Sequence, residues 1–302
     1  MMDEDGQLSE FARQLLLRHH RVASAPAASF VPDTLTSSNT GSRIADGSLT
    51  TVAGAAEYTS ADNGTTISGK LFTGNVTITG DCTNIIFEDC KFTGDIDGGI
   101  FFNFIAHGAN SGVVVRYCTF APSAAASGGT TCLDVSGVTV HRCYITGFEN
   151  AIRVYGDDVT ITQNLIEVPN ENDPGGHIDG IEGYGRAGVG ISNLTIQENK
   201  VDLGAADSTS PCYLSPYVSI AGVVVDSNLL IGGSYNGYNE SGVSDLQVIG
   251  NHMKGSAFGY WTATGGTTTT QILYWEDNFD ADDLTETGRI YIPGLGIERP
   301  VP

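Results

Sequence analysis

The string His177-Ile178-Asp179-Gly180-Ile181-Glu182 brings together three side chains that could carry out proton transfer. Asp179 and Glu182 could supply the pair of carboxyl groups that cleavage of a glycosidic bond requires. His177 could act as the general base of a lyase, or it could donate a hydrogen bond that holds its loop against the neighbouring structure. If the chain is an enzyme, these are its candidate catalytic residues.

A column of charged side chains is predicted to include Glu182. Three strings align residue for residue: Leu133–Gly137, Ile152–Gly156 and Ile181–Gly185. Because side chains alternate between the two faces of a strand, the apolar first residue of each string should point inward and the next one outward. The outward column is then Asp134, Arg153 and Glu182, and we expect Asn103 and Ser219 to extend it. Two further columns should run beside it: Ser136, Tyr155 and Tyr184, and then Thr131, Asn150 and Asp179.

Tyrosine rings next to the charged column favour a glycan-binding site. Tyr155 and Tyr184 align with each other, and Arg186 follows closely after Tyr184. An aromatic ring presents a flat face on which a sugar ring can stack, and carboxylate or guanidinium groups can hydrogen-bond hydroxyls or uronates. We therefore predict that one solvent-facing set of side chains binds glycan: Asp134, Arg153, Tyr155, Tyr184 and Arg186.

Two observations bear on this site in opposite directions. The segment Glu167–Gly176 is the most loop-like stretch of the chain, and loops on a rigid scaffold often carry function. We expect it at the edge of the site, with His177 nearby. The alternative is that Asp134, Arg153 and Glu182 form only a cross-strand charge ladder, in which each pair contributes a few tenths of a kcal/mol.

An eight-residue phrase that recurs eight times must position these residues. Each copy is apolar at its first and third positions, which predicts a strand, and carries Cys or Asn at the sixth. A period of this kind marks a solenoid. Because Asn tolerates a left-handed backbone, we expect the sixth residue to form a corner and to stack on its equivalents in adjacent coils. The sixth residues are Cys90, Cys118, Cys143, Asn164, Asn199, Asn228, Asn251 and Asn278.

Through the ladder and the coil spacing, the chain resembles the right-handed parallel β-helix superfamily of pectate lyases, polygalacturonases and phage tailspikes. The resemblance covers roughly residues 65–280 and implies an all-β, right-handed parallel β-helix solenoid. Polygalacturonases carry Asn-Thr-Asp-Gly-Ile-Asp, which Asp179 would match as the first catalytic acid. Their following Gly-Asp-Asp falls at Gly204-Ala205-Ala206 here, so the second acid pair is missing.

Calcium is the one metal that the acids of this region could bind. Asp157, Asp158, Asp173 and Asp179 offer oxygen ligands of the type that Ca²⁺ takes. Solvated surface carboxylates are the more ordinary explanation. We therefore expect no cofactor, with Ca²⁺ as the alternative.

Composition excludes several classes of function. The net charge of −21 disfavours binding to nucleic acid or to an anionic membrane surface. The acidic start of the chain and the lack of a long apolar run predict neither a signal peptide nor membrane insertion. Three of the six cysteines occupy ladder positions, which favours free thiols over disulfides.

The remaining segments are predicted to lie outside the solenoid. Apolar residues at helical spacing predict a short α-helix within residues 1–22. It could dock or trimerise, which the long segment after it favours, or it could fold back and cap the N-terminal end of the solenoid. Residues 23–64 should form a linker and the entry to the solenoid, residues 65–280 the solenoid, and residues 281–302 an irregular tail.

Two functional hypotheses remain open. The resemblance implies a phage tail protein of the tailspike or minor-tail type. It would be located in the virion as a homotrimer, contact a host cell-surface polysaccharide, and meet other virion proteins through the N-terminal helix. The alternative is a polysaccharide-degrading enzyme, either a lyase or a glycoside hydrolase. The two share one scaffold, so fold alone does not separate them.

Overall fold

The computed structural model describes residues 30–94, 102–122, 130–167, 177–185, 189–204, 208–214, 217–263 and 272–290. The chain divides into two units, Met1–Phe30 and Val31–Pro302. The helix predicted within residues 1–22 lies outside the described residues, as do Arg186, Asp173 and most of the segment Glu167–Gly176.

The second unit is a parallel β-helix with three long sheets. Sheet 1 contains Thr50–Val52, Lys70–Phe72, Lys91–Phe92, Thr119–Phe120, Tyr144–Thr146, Leu165–Glu167, Lys200–Asp202, Leu229–Ile231, His252–Lys254 and Phe279–Asp280. Sheet 2 contains Ala56–Tyr58, Val76–Ile78, Phe102–Ala106, Thr131–Val135, Asn150–Val154, Asp179–Gly183, Ser210–Leu214, Tyr235–Asn239 and Gly259–Ala263. Sheet 3 contains Thr66–Ser68, Ile86–Glu88, Val113–Arg116, Val138–His141, Val159–Thr162, Ile191–Gln197, Ile220–Asp226, Val243–Ser244, Leu246–Ile249 and Ile272–Glu276. Four short 3₁₀ helices complete the described elements: Val31–Thr34, Asp46–Ser48, Ser60–Asp62 and Glu286–Gly288.

Each eight-residue phrase supplies one strand of sheet 3 and then one strand of sheet 1. The first and third residues of the first seven copies point into the coil, as the alternation predicted, whereas Leu273, the first residue of the eighth copy, is 44% exposed. Twelve such residues are at most 1% exposed: Ile85, Phe87, Val113, Val115, Val138, Val140, Val159, Ile161, Leu194, Ile196, Val223 and Val225. The register predicted from the phrase is therefore confirmed.

The asparagine ladder is also confirmed. The side-chain Nδ2 of Asn164 donates to Oδ1 of Asn199 at 2.9 Å, and the same bond continues through Asn228, Asn251 and Asn278 at 2.9–3.0 Å. Each of these four Oδ1 atoms also accepts the backbone N–H of the ladder residue in the preceding coil. One amide side chain thus satisfies buried backbone groups of the neighbouring coils, which would otherwise be costly to bury.

Cysteine takes the same place in the earlier coils with a weaker donor. The thiol of Cys143 lies 3.5 Å from the carbonyl oxygen of Val115 in the preceding coil. One coil later, the side-chain amide of Asn164 donates to the equivalent carbonyl oxygen, that of Val140. Cys118 and Cys90 make equivalent contacts. All six cysteines are free thiols in this structure, as predicted.

The corner residue is not the one that the sequence pattern suggested. The left-handed backbone belongs to the fifth residue of the phrase, such as Arg142 (φ 54°), Gln163 (φ 55°) and Glu198 (φ 56°). The Asn or Cys that follows points into the coil instead. The prediction that the sixth residue forms the corner is therefore wrong. The side chain of the sixth residue points inward to form the ladder, and the fifth residue makes the corner.

The solenoid is longer than the predicted 65–280. Its first coil begins with the strand Thr50–Val52. At the other end Ile290 is only 7% exposed, and its carbonyl oxygen accepts a hydrogen bond from Nε1 of Trp275 at 2.8 Å. The start of the expected tail therefore covers the last coil.

Within the expected linker 23–64, the segment Gly41–Arg43 lies along the outside of the solenoid, and we call it the strap. The Gly41 N–H donates to the carbonyl oxygen of Arg142 at 2.8 Å. The Arg43 guanidinium pairs with the carboxylate of Asp89 at 2.6 Å. These partners belong to different coils, so the strap joins coils that are distant in sequence. Its Ala, Ser and Thr content resembles that of a linker, but specific side chains fix it in place.

Candidate functional site

The charged column forms on sheet 2 in the predicted register. Asp134 pairs with Arg153, and Arg153 pairs with Glu182 in the next strand. The neighbouring column Thr131, Asn150 and Asp179 is also in register. The predicted extensions of the charged column are wrong. Ile105, not Asn103, pairs with Asp134 on one side, and Tyr213, not Ser219, pairs with Glu182 on the other.

The predicted exposure of these charged side chains is wrong. Asp134 is 1% exposed, Asp179 2% and Glu182 6%. Larger side chains cover Asp134: the Arg153 Nε donates to its Oδ1 at 3.1 Å, and the His107 Nε2 lies 2.9 Å from its Oδ2. The carboxylates are on the predicted face, but they form the base of the site and not its rim.

The cationic and aromatic groups lie above these carboxylates. The guanidinium of Arg153 lies 4.5 Å from the ring centre of Tyr184, and the ring of His107 stacks on Tyr155 at 3.9 Å. The Asp134–Arg153 ion pair thus realises one step of the charge ladder and also holds Arg153 over Tyr184. Charge pairing and a ring-lined surface are therefore parts of one arrangement.

Burial changes the acidity of the two candidate catalytic acids. Desolvation is the main cause that raises the pKa of Asp179 well above its usual value, and the charge of Glu182 raises it further. Desolvation likewise raises the pKa of Glu182 to about 7, although the charge of Arg153 opposes the shift. The Asp179 Oδ1 has no hydrogen-bond partner among the described residues. A protonated carboxyl group in such a place can serve as a general acid.

His177 makes a hydrogen-bond contact with the neighbouring coil, as expected if its role is structural and not catalytic. It is exposed, and its Nδ1 lies 3.2 Å from the hydroxyl of Thr209 in the next coil. This contact fastens the start of the strand Asp179–Gly183 to its neighbour. The structure does not place His177 among the buried acids.

Further aromatic side chains, which the sequence pattern did not single out, continue the site along sheet 2. Tyr213 lies 5.4 Å from Tyr238, and Tyr235 lies 6.0 Å from both Tyr238 and Phe258. Phe258 is 73% exposed and Tyr217, which contacts Tyr184, is 68% exposed. We call this set the aromatic track: Tyr155, Tyr184, Tyr213, Tyr217, Tyr235, Tyr238 and Phe258.

The track follows five neighbouring strands of sheet 2, from Asn150–Val154 to Gly259–Ala263. Since neighbouring strands lie ~4.8 Å apart, it extends over about 19 Å along the solenoid. Its members include partly exposed rings at the level of each coil. Such a surface has the length of a chain-like ligand, not that of a single small molecule.

Two of the four acids that could bind calcium, Asp157 and Asp158, have other partners. Asp157 accepts hydrogen bonds from the backbone and hydroxyl of Ser192, and Asp158 accepts one from the amide of Asn193. In the part of the chain that the structure describes, no three His, Cys, Asp or Glu residues are grouped as metal ligands would be. Nor does any helix of that part have the length and hydrophobicity needed to cross a bilayer.

Comparison with protein-family models, with curated proteins and with solved structures finds no match for this chain.

Proposed function

We propose that this protein is a phage tail protein of the tailspike or minor-tail type, which contacts a host cell-surface polysaccharide through the outer face of sheet 2. The aromatic track is the observation that carries the proposal. Partly exposed rings at successive coils offer stacking surfaces for successive sugars, and exposed apolar rings in such number on one face mark a binding surface.

The contacts around Arg153 support this assignment. Its guanidinium is held by Asp134 below and lies against the ring of Tyr184. A ring whose position is fixed before binding loses little conformational freedom when a ligand arrives. The buried carboxylate of Asp134 thus orients Arg153, which in turn lies against the ring of Tyr184 that would contact the glycan.

The place in the virion rests on the resemblance to tailspikes and on a rigid parallel β-helix. The helix predicted within residues 1–22 would serve attachment to other virion proteins or trimerisation. Mass spectrometry of purified virions tests this part. Absence of the chain from particles whose other tail proteins are detected would contradict it.

Substitution of one ring tests the glycan site. We expect Tyr184→Ala to weaken binding to the recognised polysaccharide by ~1–3 kcal/mol, the scale of a lost aromatic anchor. Tyr274→Ala is the matched control, since Tyr274 lies on sheet 3. The measurement is titration of a panel of bacterial surface polysaccharides. Equal affinity of both variants and wild type would remove this face from consideration.

A polysaccharide-degrading enzyme is the second candidate, and one observation favours it. Asp179 and Glu182 are buried carboxyl groups whose pKa values are raised, as a general acid requires. Incubation with the bound polysaccharide distinguishes the two candidates. New reducing ends, or absorbance from unsaturated uronates, that disappear in Glu182→Gln would establish catalysis, whereas binding without products supports the receptor-binding role.

A further inference from the structure

We infer that the glycan bound along the aromatic track is uncharged, and that the face discriminates against polyanionic polysaccharides such as polyuronates. This inference rests on the proposed glycan contact and specifies its ligand class. It rests on the charged side chains near the track, among which acidic groups outnumber cationic ones.

Acidic side chains accompany the track along its length. Asp134, Asp179 and Glu182 lie on sheet 2 itself. Glu149 is close enough to raise the pKa of both Asp179 and Glu182 through its charge. Glu240 accepts a hydrogen bond from the hydroxyl of Tyr213 at 2.6 Å. Asp134 is paired with Arg153 and the raised pKa of Asp179 favours its neutral form, so the like charges come from the other acids. Above pH 7, where Glu182 is ionised, a chain of carboxylates laid over this face would meet the negative charges of Glu149, Glu182 and Glu240.

The positive charge on the described strands of sheet 2 is already engaged. Arg153 is the guanidinium of the described sheet 2 strands, and both its Nε and a terminal nitrogen contact Asp134. Its side chain is 15% exposed, and the Asp134 that it neutralises is 1% exposed. A polyuronate needs a cation for each acidic sugar, or it leaves its charges unpaired against a surface of the same sign.

The net charge of the whole chain acts in the same direction. At −21, the protein repels a polyanion before contact is made. An uncharged glycan meets neither obstacle. It can stack on the rings, and its hydroxyls can donate hydrogen bonds to acceptors on the face.

The test compares polysaccharides that differ only in charge. Acidic bacterial surface polysaccharides are titrated in native form and after carboxyl reduction, which converts each uronate to the neutral hexose with the same linkages. Naturally neutral polysaccharides are titrated beside them. At ~10 mM salt, where the Debye length is ~30 Å, we expect the native acidic form to bind at least tenfold more weakly than its reduced form. At ~1 M salt, where the length is ~3 Å, the difference should nearly vanish.

A charge variant locates the effect on this face. At pH 8 and low salt, where Glu182 is ionised, Glu182→Gln should reduce the ratio between the affinities for the reduced and the native acidic forms. Glu276→Gln on sheet 3 removes a carboxyl group at a distance and should reduce this ratio less. If both variants reduced the ratio between the two affinities equally, the effect would come from net charge alone, and the role of this face would be overturned.

The two proposals fail in different ways. Tighter binding of the native acidic form, still weakened by Tyr184→Ala, would overturn the inference about charge and leave the glycan site standing. Absence of binding to every polysaccharide, charged or neutral, would overturn the glycan site and the inference with it.

Discussion

Glu182 illustrates at the scale of one residue how burial changes the behaviour of a surface-facing carboxyl group. Its ordinary pKa of 4.5 rises to about 7, mainly by desolvation. Between pH 4.5 and pH 7, the folded chain therefore binds more protons than the unfolded chain. Stability should therefore decrease as the pH rises through this window, and Asp179, whose pKa is raised for the same reason, contributes in the same direction.

Substitution of Glu182 tests this directly. We expect Glu182→Gln to reduce the loss of stability between pH 4.5 and pH 7, by up to about 3 kcal/mol, and to make the variant more stable than wild type at pH 8. Urea unfolding followed by circular dichroism across this range measures the effect. A variant whose stability depends on pH as steeply as that of wild type would show that Glu182 does not titrate in this window.

At the scale of elements, the ladder determines how one coil is joined to the next. The Asn199 amide donates to Asn228 and to the carbonyl oxygen of Ile161, and it accepts from the backbone and side chain of Asn164. Removing it leaves buried donors and acceptors without partners. Each such group costs ~1–3 kcal/mol.

The ladder therefore predicts unequal effects of two small substitutions. We expect Asn199→Ala to lower the free energy of unfolding by about 3 kcal/mol or more. Cys118→Ala should cost about 1 kcal/mol, because the thiol contributes mostly the burial of one small group. Chemical unfolding of both variants measures the difference. Similar losses in the two variants would mean that the amide hydrogen bonds add little to the stacking of coils.

The sequence predicts these elements where its apolar pattern is regular and misses them where the pattern changes. Leu133, Ile152 and Ile181 align clearly, so the column Asp134, Arg153 and Glu182 was predictable. In the next two strands Cys212 and Gly237 occupy the inward position, and the apolar signal is lost. Gly237 is needed there, since a Cβ at this position would approach Cε3 of Trp261 to 1.9 Å. The pattern therefore does not predict the tyrosines beside these residues.

Burial on the outer face could not be predicted from the same pattern. Alternation tells which side of the sheet Asp134 faces, but not that Arg153 and His107 cover it. The sequence pattern does not predict the position of the strap, for a similar reason. Its composition resembles that of a linker, whereas its position depends on pairs such as Arg43 with Asp89, which are far apart in sequence.

At the scale of the whole molecule, the proposed function assigns attachment to residues 1–30 and glycan recognition to sheet 2. We expect deletion of residues 1–30 to abolish oligomerisation while the β circular dichroism spectrum remains, because the strap and every described coil are retained. Light scattering measures the oligomeric state. Loss of the β spectrum would show that the first unit is required for the solenoid to fold.

Covalent footprinting of tyrosine with and without bound polysaccharide tests the central claim most directly. If the outer face of sheet 2 binds glycan, Tyr184, Tyr217 and Tyr238 should lose reactivity as the polysaccharide saturates the protein. Tyr274 on sheet 3 should remain as reactive as before. Unchanged reactivity of the aromatic track at saturation, or protection of Tyr274 in its place, would contradict the account.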